Sequence, residues 1–263
     1  MSKNILDKII QKKKEKINYL KKKLDINSIN DLIKNYDKFY NFKEKIQKNI
    51  SNDKFSIIAE IKKASPSAGI IIEDYDPVKI ANIYYINKAT CLSVLTEEQF
   101  FLGNLEHISK IKKKINLPIL CKDFFIDKYQ VLLSKSYGAD AILIILAGVT
   151  DNIADELYEE AINHNMSVIV EVHTIEEAKR ALKYKNALLG INNRNLKTLE
   201  TNINTTYDIY DVLINHSGPL ISESGIQTKN DLLKLSERTS IKTFLIGESL
   251  LKNLNNNSIF TVL

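Results

Sequence analysis

From about residue 50 onward two hydrophobic periodicities alternate along the chain. Short runs rich in Ile, Val and Leu occupy 55–61, 91–95, 118–121, 141–146, 168–172, 188–191, 219–222 and 243–246. They are apolar on both faces, as strands buried in a parallel sheet are. Helix-period segments lie between them. Asp76-Pro77 places an N-cap before a proline at the first helical position. Asp127, Asp151, Thr174, Thr205 and Thr228 can open the later helices. Thr174 and Glu177 have capping-box spacing. Successive strand ends lie roughly 20–35 residues apart, enough for one crossover helix each. Eight such units predict an α/β protein, a closed (β/α)8 TIM barrel, for which about 250 residues is usual. An open doubly wound sheet is the rival, but it has fewer strands and often a Gly-rich first turn, and no G-x-G-x-x-G occurs.

Before residue 50 the pattern is different. Ile5, Ile9, Ile10, Ile17, Leu20 and Leu24 fall mostly at helical spacing between lysine runs. This predicts an amphipathic helix, with Asn27 or Ser28 opening a second near 29–36. The expected organisation is an N-terminal helical extension, 1–48, packed on a barrel, 49–263.

Charge follows the same division. Residues 1–50 hold 14 Lys and 6 Asp+Glu, a net of +8, whereas 51–263 hold 23 Lys+Arg and 26 Asp+Glu, a net of −3. Three arginines stand against 34 lysines, a bias that weakens any inference from lysine number to nucleic acid. Two scattered cysteines, Cys91 and Cys121, make no disulfide framework, and the four histidines show no metal-ligand spacing. No apolar run approaches the ~18 residues of a membrane span, and the N-terminal segment lacks a signal peptide's apolar stretch. The expectation is a cytoplasmic protein, a monomer or weak homo-oligomer, without nucleic-acid, membrane or metal partners.

Barrels of this kind keep their chemistry at the C-terminal ends of the strands. Glu60 and Lys62 end the first strand, Lys122 the third and Glu171 the fifth. Asn192 and Arg194 follow the sixth, Glu223 and Ser224 the seventh, and Gly247 and Glu248 the eighth. Residues two apart on a strand share a face, so Ile58, Glu60 and Lys62 point together, as do Leu120 with Lys122 and Ile169 with Glu171. If those faces look inward, lysines and carboxylates converge at the barrel mouth. Ser224-Gly225 and Gly247-Glu248 sit where loops after strands seven and eight recurrently bind phosphate.

Seven motifs carry a resemblance. They are Ile57-Ile58-Ala59-Glu60-Ile61-Lys62-Lys63-Ala64-Ser65-Pro66-Ser67, Leu92-Ser93-Val94-Leu95-Thr96-Glu97-Glu98, Cys121-Lys122-Asp123-Phe124, Val170-Glu171-Val172-His173, Gly190-Ile191-Asn192-Asn193-Arg194-Asn195-Leu196, Ser222-Glu223-Ser224-Gly225-Ile226 and Leu245-Ile246-Gly247-Glu248-Ser249-Leu250. In this order they resemble the indole-3-glycerol-phosphate synthase family over essentially the whole chain. The resemblance implies conversion of 1-(2-carboxyphenylamino)-1-deoxyribulose 5-phosphate to indole-3-glycerol phosphate, CO2 and water, a step of tryptophan biosynthesis that needs no cofactor. It implies a general acid at Lys122, a second lysine at Lys62 and carboxylates at Glu60 and Glu171. Asn192, Glu223 and Ser224 match other polar site residues. Ser65, Gly225, Gly247 and Glu248 match the phosphate region, with Arg194 counted among the substrate-binding residues, and Phe101 and Phe124 the anthranilate side. Ala68 departs from the basic residue many members carry. Two further expectations are that neighbouring cations draw the Lys122 pKa toward working pH, and that the lysines of the extension lie near the phosphate side. Phosphoribosylanthranilate isomerase, the nearest rival barrel, would use a Cys/Asp pair and leave Lys62 and Lys122 unexplained.

Overall fold

The computed structural model describes residues 5–255 and 257–263. Its centre is a closed barrel of eight parallel strands: β1 Ser56–Ile61, β2 Cys91–Leu95, β3 Ile119–Lys122, β4 Ala141–Ile145, β5 Ser167–Val172, β6 Leu188–Asn192, β7 Leu220–Glu223 and β8 Thr243–Ile246. Each strand pairs with its sequence neighbour, and β8 closes the ring on β1 through Ser56 opposite Thr243. The expected barrel is present, each strand within a residue of its apolar run. Three strands reach one residue further than the run, so that Lys122, Asn192 and Glu223 are the last ladder residues of β3, β6 and β7.

The pairing register sorts the inward side chains into layers. Ile58, Leu120, Ile169 and Ile221, from the odd strands, belong to one buried apolar cluster. Two residues further along the same strands stand Glu60, Lys122, Glu171 and Glu223. Alternate strands fill alternate layers of such a barrel. A layer of three carboxylates and one ammonium therefore lies directly on an aliphatic floor. The outward residues, among them Ile57, Ala59, Val170 and Leu189, pack under the helices in the larger core cluster.

Around the ring run α4 Pro77–Ile86, α5 Glu106–Lys112, α6 Lys128–Ser136, α7 Asp151–Asn163, α8 Ile175–Ala181, α9 Asn204–Leu213, α10 Lys229–Thr239 and the short helix Glu248–Lys252. Asp76, Asp127, Thr174 and Thr228 cap helices as their spacing predicts. Asp151 does not: the cap is Thr150, and Asp151 is the first helical residue, where its charge meets the positive end of the helix dipole. Thr205 lies inside α9, which starts after Ile203 without a side-chain cap. Glu177 bonds the backbone N–H of His173 rather than that of Thr174, so the expected capping box is half formed.

The first fifth of the chain forms α1 Ile5–Lys23, α2 Ile26–Lys34 and α3 Phe42–Ser51. Asp25, not Asn27 or Ser28, opens α2, because its carboxylate lies one turn ahead of the Ser28 N–H that it accepts. α1 and α2 bury Ile17 and Ile29 against Tyr129, Leu132 and Leu133 of α6. α3 runs across the expected boundary at 48/49. Its Phe42 and Ile46 are fully buried and join the inward cluster, plugging the N-terminal mouth of the barrel. Among the described residues no helix is long and apolar enough to cross a membrane.

Candidate active site

At the C-terminal ends of the strands the barrel opens into a cavity of about 760 Å³. The carboxylate–ammonium layer is its floor. Lys122 Nζ donates to Glu171 Oε2 at 3.1 Å and to Glu223 Oε2 at 2.9 Å. Lys62 Nζ donates to Glu60 Oε1 at 2.6 Å. Two glycines make room for the acids. A Cβ on Gly190, in the layer below, would stand 2.1 Å from Glu223 Oε1, and one on Gly247 would stand 2.3 Å from Glu60 Oε1. Glu223 Oε1 is buried there without a hydrogen-bond partner. Such a group is costly to bury and readily recruited by a substrate.

Burial and neighbours push the two acids around Lys122 apart. Desolvation raises the Glu223 carboxyl to about 7, assisted by the Glu171 charge and opposed by Lys122. Burial also acts on Glu171, but Lys122, the adjoining His173 and Asn192 together hold it well below the usual carboxylate range. Burial would lower the Lys122 pKa, yet Glu171, Glu223 and Glu60 outweigh it and raise the pKa above that of an ordinary lysine. The expectation of neighbouring cations is therefore corrected. The groups around this ammonium are anions, and Lys122 rests protonated.

One wall of the cavity is apolar. Phe101 and Phe124 stand with ring centroids 6.2 Å apart beside Leu95, Leu143, Ile145 and Leu196. Glu97, buried, accepts from the N–H groups of Gln99, Phe100 and Phe101 and so fixes the loop that presents Phe101. Asp123 does the same after β3, accepting from Phe124 N at 2.7 Å and from Thr96 Oγ1 at 2.8 Å. Lys13 of α1 reaches across to Asp123 at 2.7 Å, and Lys16 and Lys21 pair with Glu98 and Asp127. These lysines lie on the aromatic wall, not on the phosphate side as expected. The acids that attract them sit in the loops after β2 and β3.

The opposite wall is polar. Ser224, at φ 66°, and Gly225, at φ 78°, turn the chain sharply after β7. Asn193, buried behind them, donates to the Ser224 carbonyl at 3.0 Å and to Ser222 Oγ at 3.2 Å. Arg194 donates to Ser67 Oγ and to the Leu199 carbonyl, both at 3.0 Å, and lies 3.8 Å from Glu248. The cations at this edge are thus Arg194 and Lys252, the latter 2.6 Å from Glu248, while Ala68 in the same lining carries none.

Glu60, Lys62, Phe101, Lys122, Phe124, Glu171, Asn192, Arg194, Glu223, Ser224, Gly225, Gly247 and Glu248 all line the cavity. Ser65 does not. It is buried beneath the loop, bonded to Ser67 Oγ and Ala68 N, and those two residues face the cavity instead. The sequence places Glu97 and Asp123 at strand ends without giving them a role, and it offers none for Asn193 or His173. For His173 a signal existed, a histidine two residues after one glutamate and four before another. For Asp123 the partner that fixes it, Lys13, is 110 residues away.

The family model described as "Indole-3-glycerol phosphate synthase" matches residues 6–262. The chain belongs to the indole-3-glycerol phosphate synthase family. An indole-3-glycerol phosphate synthase of Prochlorococcus marinus subsp. pastoris is 44% identical over 257 residues, spanning 95% of this chain and 86% of that one. Another from Zymomonas mobilis subsp. pomaceae is 38% identical over 249 residues, 95% of this chain and 94% of its own. One from Acinetobacter baumannii is 40% identical over 260 residues. Among solved structures, the tryptophan synthase alpha chain of Legionella pneumophila subsp. pneumophila superposes with a TM-score of 0.60 at 13% identity, covering 84% of this chain and 92% of that chain, a likeness of fold. Membership of the synthase family gives the barrel-mouth layer a reaction to be read against.

Proposed function

We propose that this chain closes the indole ring: it converts 1-(2-carboxyphenylamino)-1-deoxyribulose 5-phosphate to indole-3-glycerol phosphate, CO2 and water, in tryptophan biosynthesis. The observation that carries the assignment of roles is the ammonium of Lys122 held between Glu171 and Glu223 on the cavity floor. The aryl ring of the substrate lies against Phe101 and Phe124. Its phosphate lies toward Ser224, Gly225, Gly247 and Arg194. The ketose carbonyl then falls over the charged layer.

The aryl carbon that bears the carboxylate attacks the carbonyl carbon, and Lys122 delivers a proton to the oxygen as it becomes an alkoxide. A lysine resting protonated is the right donor, because the alkoxide is more basic still. Lys62, paired with Glu60, offers the cation that holds the substrate carboxylate until CO2 leaves. Loss of the hydroxyl as water then needs an acid, and restoring aromaticity needs a base. Glu223, whose carboxyl exchanges its proton near neutral pH, and the Lys62–Glu60 pair serve that stage. Glu248 faces the phosphate side already neutralised by Lys252 at 2.6 Å, so it does not repel the anion as a bare carboxylate would. The reaction needs no cofactor on this scheme. We also place the enzyme in the cytoplasm as a monomer or weak homo-oligomer.

The decisive assay is indole fluorescence growing on addition of the substrate. The chain contains no tryptophan, so the protein background is low. Absence of signal from folded protein with intact substrate would refute the assignment.

A further inference from the structure

His173 follows the last residue of β5 and precedes α8. Its side chain is 9% exposed and lies between two carboxylates. Nδ1 is 3.1 Å from Glu177 Oε2, and the same oxygen accepts the His173 backbone N–H at 2.8 Å. Nε2 is 3.1 Å from Glu171 Oε1, an ion-pair distance without hydrogen-bond alignment. Glu171 is thereby held at both ends, Oε1 by His173 and Oε2 by Lys122. A neutral imidazole carries one N–H and would turn a lone pair toward one of the two acids. Only the imidazolium satisfies both.

Resting on the functional reading above, we propose that His173 is a positioning residue: clamped by Glu177, its imidazolium keeps Glu171 ionised and aimed at Lys122, making Glu171 a fixed anion, so that of the two acids around Lys122 only Glu223 exchanges a proton. The surroundings agree. Burial alone would lower the His173 pKa, but Glu171 and Glu177 raise it to about 9. Among the described residues, Glu171 and Glu177 are the charges that act on the ring. Arg180 of α8 is turned to Asp151 and to the carbonyls of Leu146 and Val149. Lys122 stands on the far side of Glu171, where the Asn192 amide also lowers the Glu171 pKa. A second acid on the ring thus biases a group that touches substrate without touching substrate itself.

Two substitutions, His173→Gln and Glu177→Gln, test this in the full chain, with imidazole titration followed by NMR and kcat and KM followed across pH. In the wild type one imidazole should titrate near pH 9, and its signal should vanish in His173→Gln. That variant should keep KM within about threefold while kcat falls by roughly tenfold or more, and its acid limb should move toward neutral by at least about one unit, because Glu171 has lost a cation. In Glu177→Gln the imidazole should titrate lower, and the alkaline limb of kcat should follow it down. Should His173→Gln not fold, Glu177→Gln decides alone, since it leaves the ring in place. An imidazole titrating at or below its ordinary value, or a kcat loss by the same factor at every pH, would overturn the proposal. A wild-type chain that makes no indole product would refute the functional reading instead, and the imidazole titration would still judge the clamp.

Discussion

Gly190 and Gly247 decide where two carboxylates stand. Neither needs a left-handed backbone; each is small because an acid oxygen occupies the place of its Cβ. Gly190→Ala should push Glu223 off Lys122 while the strand holds, so kcat should drop by about 10²-fold in the fluorescence assay with little change in melting temperature. Lys122→Met keeps most of the apolar stem and removes the donor. Its kcat should fall by at least about 10²-fold while product still protects the protein against heat. More than a tenth of wild-type kcat would remove Lys122 from the acid's role. Glu223 also links the site to stability. Its folded pKa is raised from 4.5 to about 7, so folding favours the protonated form. Its contribution is full below the unfolded pKa and is lost as pH rises through 7. Denaturant midpoints of Glu223→Gln should therefore decline less between pH 5 and 8 than those of the wild type. Glu60 with Lys62, Lys122 and Glu171 were legible by the face each shares on its strand, because alternation needs only local sequence, whereas Glu223 was legible only as a strand end. The pKa shifts of Lys122, Glu171 and Glu223 were not legible, because each depends on charges brought from strands tens of residues apart.

Among the elements, α1 behaves as a strap across the loops that carry the aromatic wall. Lys13, with only 12% of its side chain exposed, is the anchor, and Asp123 beneath it also holds Thr96 and the Phe124 N–H. Burial opposes the charge on Lys13, but Asp123 outweighs it and raises the Lys13 pKa. Lys13→Met should loosen Phe124 and raise KM by roughly tenfold, about 1.4 kcal/mol, with kcat nearly unchanged. An unchanged KM would make the strap structural only. The sequence announces α1 as an amphipathic helix through Ile5, Ile9 and Ile17, since helical spacing is local. It gives no hint of the side on which the helix lands, because that is set by Glu98, Asp123 and Asp127, all distant in the chain. For the same reason the strand runs and most caps are legible, whereas the caps at Thr150 and Ile203 are not. At the first, Thr150 and Asp151 are adjacent residues that can both cap, and at the second no side chain caps at all.

For the molecule as a whole, the underside of the barrel rests on one buried ion pair. Lys112 and Asp140 are both fully buried, and Asp140 also accepts from the Tyr40 and Ile119 N–H groups at 2.7 Å each. It thus ties the segment before α3 to β3. Lys112→Met would strand the aspartate charge, and such losses cost about 3–5 kcal/mol. Urea unfolding should show a drop of that order, and a loss below about 1 kcal/mol would mean that Asp140 is satisfied by its backbone donors alone. Beside this pair sits the plug. Phe42 and Ile46 lie against Cys91, Leu120 and Leu188 inside the ring, and the ring is complete only when Thr243 pairs with Ser56. The order of synthesis makes this a kinetic constraint. Two apolar side chains made among the first fifty residues have a complete seat only when the last strand has been made. A chain interrupted before residue 243 would lack the part of that seat closed by β8 and its Leu245, so burial of the plug is completed only with closure of the ring.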